Sequence, residues 1–92
     1  MAKAYPMPQW GITMEEGTIT QWVAAAGQHV EEGDVLAIVS TDKIDVEFES
    51  PVRGVVAEHL VPEGETVACG TPIIVIADDE ADLAAYRSQS NR

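Results

Sequence analysis

A lysine set between two acids is the residue of greatest chemical interest in this chain. Lys43 stands in the run Ser40-Thr41-Asp42-Lys43-Ile44-Asp45, and only one other lysine, Lys3, occurs in 92 residues. Taken alone, such a lysine neutralises Asp42 and Asp45. The other groups with chemical potential lack partners at working spacing. His29 and His59 have no cysteine or second histidine where a metal would need one, and both are expected to face solvent. Cys69 is the single cysteine; it has no Cys-x-x-Cys partner and no disulfide mate, so an inert thiol in a turn is expected. No nucleophile-elbow motif and no phosphate-binding glycine loop is present in the sequence. These residues supply neither a metal site nor a catalytic set.

Charge narrows the partners. Sixteen acidic residues face five basic ones, a formal net charge of -11. Nucleic acid and anionic membrane surfaces repel such a chain, whereas a protein with a basic docking surface suits it. No apolar run approaches the roughly 18 residues that a membrane-spanning helix requires. Residues Met1 to Pro8 show neither an apolar signal core nor an Arg/Ser-rich amphipathic pattern. The expected setting is cytoplasmic, or the mitochondrial matrix if a transit peptide has been removed. The length suits one domain, expected to be monomeric when isolated.

What must position Lys43 can be read from a repeat. Of the glycines at 11, 17, 27, 33, 54, 64 and 70, three pairs (17/54, 27/64, 33/70) share an offset of 37. Apolar residues keep the same offset: Ile19 with Val56, Val23 with Leu60, Val30 with Val67, Leu36 with Ile73, Ile38 with Val75. Two similar half-domains follow. Each reads as β: Gly17 to Ala24 and Gly54 to Val61 are β-branched stretches, and Val35 to Thr41 and Pro72 to Ala77 are short apolar strands. Turn signals at Ala26-Gly27-Gln28, Glu32-Gly33-Asp34, Glu63-Gly64-Glu65 and Cys69-Gly70-Thr71 separate them. After Lys43, Ile44, Val46 and Phe48 alternate with Asp45, Glu47 and Glu49, the pattern of a half-buried strand. The fold class expected is all-β, a flattened β-barrel or sandwich of two antiparallel sheets with an internal pseudo-two-fold. Lys43 then lies on the hairpin that joins the halves, at the end away from the termini. Lys3 falls in a terminus expected to be loose. The domain is expected to span 3–78. Acids at Asp78, Asp79, Glu80 and Asp82 before Leu83-Ala84-Ala85-Tyr86 make 79–92 either a short helix or a flexible linker.

Thr41-Asp42-Lys43 with Val46-Glu47 and Ser50-Pro51 resembles the lipoylation site of the acyltransferase (E2) subunits of 2-oxo acid dehydrogenase complexes, of pyruvate or acetoin type. The likeness extends to Met7-Pro8, to Met14-Glu15-Glu16-Gly17-Thr18-Ile19 and Trp22, and to Gly27, Val30, Gly33 and Asp34. It continues through Gly54, Val61-Pro62-Glu63-Gly64 and Gly70-Thr71-Pro72. Family members often carry Glu where this chain has Ser40 and Ala where it has Ile44; Ile44 and Trp10-Gly11 are similar to acetoin-type members.

The resemblance implies lipoate joined by an amide to Lys43, with Asp42 and Ile44 framing the lysine for a lipoylating enzyme. It implies three further partners: a decarboxylating 2-oxo acid dehydrogenase (E1) that reductively acylates the arm, an acyltransferase (E2) core that passes the acyl group to coenzyme A, and a dihydrolipoamide dehydrogenase (E3) that reoxidises it. It also places the loop Gln9 to Glu16 near the hairpin, as a further element of recognition. The His-x-x-x-Asp-Gly motif of family acyltransferase domains is absent from the sequence, so this chain reads as a non-catalytic carrier. Two alternatives share the fold. A biotin carrier usually shows Met-Lys-Met where this chain has Asp42-Lys43-Ile44, and an unmodified interaction module needs no lysine there. Fold alone does not separate the three.

Overall fold

The computed structural model describes residues 2–9, 15–41 and 44–90. Eight strands and a helix follow one another: β1 (Lys3–Pro6), β2 (Glu16–Trp22), β3 (His29–Val30), β4 (Val35–Ser40), β5 (Asp45–Glu49), β6 (Gly54–His59), β7 (Thr66–Ala68), β8 (Pro72–Ala77) and α1 (Glu80–Ser90). They form two antiparallel four-stranded sheets, β1-β8-β6-β3 and β5-β4-β2-β7, here called sheets A and B. Lys3 opens β1 and pairs with Ile76, so it sits in a sheet instead of a loose terminus.

The 37-residue shift becomes geometry. It carries β2 onto β6, β3 onto β7 and β4 onto β8, so the two sheets are pseudo-symmetric copies. Each sheet borrows its short edge strand, β3 or β7, from the other half, and this exchange locks the halves together. Positive φ occurs at Gly27 and Gly64, and at Gly33 and Gly70, with values of 89 to 93°. These are two repeat-related pairs of turns in which a Cβ would be strained.

Side chains from both halves meet between the sheets. Ile19 and Val56 are fully buried, as are Leu36 and Ile73, with Val39, Phe48, Ile74 and Ile76 around them. Burying a side chain of this size contributes roughly 1.5–3 kcal/mol, which suffices for a small aliphatic core.

A second apolar cluster lies under α1. Leu83, 4% exposed, covers Val55, Ala57, Val75 and Ala77, with Ala2 and Tyr86 at its margin. Asp79 caps the helix: its Oδ1 accepts the Asp82 amide at 2.8 Å, and Asp82 Oδ2 accepts the Asp78 amide at 2.9 Å. The Asp78 amide holds the Asp82 carboxyl below the usual carboxylate range. The Tyr86 hydroxyl donates to Glu58, and that carboxylate raises the phenol's pKa. Leu83→Ala is expected to cost about 2–3 kcal/mol and to weaken helical circular dichroism before the β signal. A thermal melt followed at both signals checks this.

Candidate functional site: the hairpin between β4 and β5

The β4–β5 ladder runs Ala37↔Phe48, Ile38↔Glu47, Val39↔Val46 and Ser40↔Asp45. Val39 and Phe48 point into the core while Glu47 and Asp45 face out. Alternation thus fixes the register right up to the turn, because a slip by one residue would bury the acids.

One threonine clamps the base of the turn. The Thr41 amide donates to the Ile44 carbonyl at 2.8 Å. Thr41 Oγ1 donates to the same carbonyl at 2.9 Å and accepts the Ile44 amide at 3.2 Å. Asp42 and Lys43 fall outside the described residues, so the structure speaks only of the two ends between which they are strung. Ile44 is 62% exposed. The alternation had grouped it with half-buried Val46 and buried Phe48; it lies beyond the last strand pair, Ser40↔Asp45, where the core no longer reaches it.

Thr41→Val keeps the shape and removes both side-chain bonds. It is expected to lower stability by about 0.5–1.5 kcal/mol and to speed exchange of the Ile44 amide, as read by thermal melts and NMR.

A shallow polar groove adjoins the hairpin, lined by Glu16, Gly17, Thr18, Ser40, Thr41 and Thr66. Thr18 Oγ1 and Thr66 Oγ1 are 2.6 Å apart. Glu16 in this groove brings the end of the Gln9–Glu16 loop beside the hairpin base. Trp10, Gly11 and the rest of 10–14 lie outside the described residues, but the loop's ends are pinned: the Cys69 amide donates to the Glu15 carbonyl at 2.9 Å, and Met7 exchanges backbone bonds with Gly70 and Thr71.

The remaining sequence candidates stay apart from this hairpin. His29 is exposed and lies 3.7 Å from Glu80. Cys69 is half-buried, its Sγ 3.6 Å from the Pro8 carbonyl. Among the described residues no group of three His, Cys, Asp or Glu side chains could hold a metal, and no helix is long and apolar enough to cross a membrane.

His59 corrects the expectation that it faces solvent. Its ring stacks on Trp22 at 4.2 Å and 3°, and Nε2 lies 2.8 Å from the Ala24 carbonyl. Trp22 Nε1 in turn donates to the Val61 carbonyl at 2.8 Å. The 37-residue shift turns Trp22 into His59 and Ala24 into Val61, so the pseudo-two-fold itself brings the two rings together. The repeat held this signal; the change of residue type hid it.

Comparison with known proteins agrees with this geometry. The biotin–lipoyl family model, described as "Biotin-requiring enzyme", matches residues 3–76. The chain is 47% identical over 78 residues to the dihydrolipoyllysine-residue acetyltransferase component of the pyruvate dehydrogenase complex of Corynebacterium glutamicum, covering 85% of this chain and 12% of that protein. It is 43% identical over 86 residues to the like-named protein of Zymomonas mobilis, covering 92% of this chain and 20% of that one. The chain therefore spans a fifth or less of the length of these relatives. The solution structure of the lipoyl domain of the 2-oxoglutarate dehydrogenase complex of Azotobacter vinelandii matches with a TM-score of 0.67 at 25% identity, covering 83% of this chain and 96% of that one. A match over 3–76, on a barrel whose two halves repeat at 37 residues, places the chain in the biotin–lipoyl family.

Proposed function

We propose that this chain is a lipoyl carrier domain that bears its cofactor on Lys43. The observation that carries the reading is the clamp at the base of the β4–β5 hairpin. Thr41 and Ile44 are fastened by three hydrogen bonds, and the only two residues between them in sequence are Asp42 and Lys43. An amide-linked arm needs a lysine at a projecting turn, with no cavity to hold it. The exposure of Ile44 suits that need. The chain's other lysine, Lys3, lies within a paired strand. Names among the relatives speak of a dihydrolipoyllysine residue, which favours lipoate over biotin.

Attachment uses little of the protein. The Lys43 amine, once deprotonated, attacks the activated carboxyl carbon of lipoate. An amide forms, the activating group leaves, and the lysine loses its charge. Asp42 and Ile44 frame the lysine for the lipoylating enzyme. When attached, lipoate supplies a disulfide that is reduced as it takes an acyl group. The domain's part is to carry the attachment point beyond the hairpin base that Thr41 clamps, so that one arm reaches several active sites at high effective concentration. Those sites belong to a decarboxylating 2-oxo acid dehydrogenase, an acyltransferase core and a dihydrolipoamide dehydrogenase. The domain, taken as residues 3–78, is the carrier part of, or a partner to, a dihydrolipoamide acyltransferase.

Incubation of the chain with lipoate, ATP and a lipoylating enzyme, beside a parallel reaction with biotin and a biotinylating enzyme, tests the reading. One lipoyl group per chain and no biotin is expected. Biotin uptake without lipoyl uptake would overturn it.

A further inference from the structure

The pseudo-two-fold makes the two outer sheet faces equivalent in backbone, yet the sequence treats them oppositely. On sheet B, the register aligns Asp45, Ser40, Thr18 and Thr66 in one row across all four strands. The 37-residue shift maps Ser40 to Ala77, Thr18 to Val55 and Thr66 to His29, and these three are likewise aligned on sheet A. There Val55 and Ala77 are buried beneath Leu83 of α1. One face is apolar and already covered; its twin is hydroxyl-lined and bears exposed acids.

The acids extend the row. Glu16 on β2 and Glu47 and Glu49 on β5 are exposed on the same side as Asp45 and Thr18. Among the described residues, no ion pair engages Glu16, Asp45, Glu47 or Glu49. A row of acids and hydroxyls accepts hydrogen bonds and attracts cations. It also runs without a break into the hairpin base at Ser40 and Thr41.

We propose that the outer face of sheet B is the docking surface for the enzyme that lipoylates Lys43, and that this enzyme presents Lys and Arg side chains around the entrance to its active site. The inference rests on the lipoyl-carrier reading. Two arguments select this occupant: charge complementarity with a chain of net charge -11, and continuity with the hairpin that such an enzyme must grasp. The face of sheet A is closed to the same role by α1. Complementary charge acts mainly on encounter and register, so it should appear in KM and in salt dependence, with little effect on turnover.

The test compares two double variants that each remove two charges. Glu47→Gln with Glu49→Gln alters the sheet B face. Glu32→Gln with Glu80→Gln alters an exposed turn and the exposed first turn of α1. Lipoylation by a lipoate–protein ligase with lipoate and ATP is followed at low ionic strength and at about 0.15 M salt. The first pair is expected to raise KM about five- to tenfold at low salt with kcat unchanged, the gap closing as salt rises; the second should change KM less than about twofold. Matching melts for both pairs show that the fold is kept. Equal effects from the two pairs, or no effect from the first, would overturn the docking face while leaving the carrier reading intact. No lipoylation of the parent chain at any concentration would overturn the carrier reading, and the docking face with it.

Discussion

Gly54→Ala should destabilise this domain more than a methyl added at any of the turn glycines Gly27, Gly33, Gly64 and Gly70. Gly54 is buried at the start of β6, and a Cβ there would overlap the Ala77 carbonyl oxygen, with Ile76 Cγ2 only 2.9 Å away. The obstacle is backbone of the neighbouring strand β8, which cannot swing aside as a flexible side chain would. The methyl therefore has to push two paired strands apart. Overpacking of this kind costs at or above about 3 kcal/mol, equivalent to a fall in melting temperature of roughly 12–24 °C in a domain of this size. Gly33→Ala supplies the contrast. Its φ is +93°, but nothing lies within 4 Å of the added Cβ. It should bear only the conformational strain, about 1–2 kcal/mol. Thermal melts of the two variants decide the matter. If Gly54→Ala melts with Gly33→Ala, the close approach of β6 to β8 is not what the glycine serves.

The contrast bears on what the sequence disclosed. Glycine spacing revealed the repeat, and among the described residues the four positive-φ glycines fall into two of the three pairs. The third pair, Gly17 and Gly54, answers a different need: both are buried in strands, and at Gly54 the need is close approach. Spacing alone does not distinguish a turn glycine from a packing glycine. The long strands were legible because alternation and β-branching persist over several residues. β3 and β7, of two and three residues, were not, since so short a stretch carries no period. For residues 79–92, acids before an apolar run suited a helix and a linker equally. The structure has a helix from Glu80 to Ser90, anchored by Leu83 on Val55 and Ala77, contacts that appear only once β6 and β8 lie side by side.

The candidate site was legible in part. Its place followed from the repeat, since Lys43 lies between the two copies. The chemistry proposed for it rests on the resemblance carried by Thr41-Asp42-Lys43, of which Asp42 and Lys43 lie outside the described residues. The clamp was not foreseen, although Thr41 was quoted in the motif: a side-chain hydroxyl that both donates and accepts across a turn leaves no periodic trace. Ile44 continues the apolar alternation in sequence, yet it stands exposed past the last ladder pair, where the core no longer reaches it. His59 shows the opposite failure, a polar residue taken for surface that the pseudo-dyad draws against Trp22.

The largest functional effect should come from Lys43. Lys43→Ala is expected to abolish lipoylation entirely while changing stability by no more than about ±0.5 kcal/mol, the usual range for a surface substitution. Lys3→Ala should leave lipoylation at the parental level. The two outcomes separate a site from a scaffold: a large fall in melting temperature for Lys43→Ala would mean that the lysine is structural. Most direct of all is peptide mass mapping of the parent chain after reaction with lipoate, ATP and a lipoylating enzyme. The account requires a single lipoyl group, carried by the peptide that contains Lys43 and absent from the one that contains Lys3. A lipoyl group on Lys3, or on neither peptide, would contradict it.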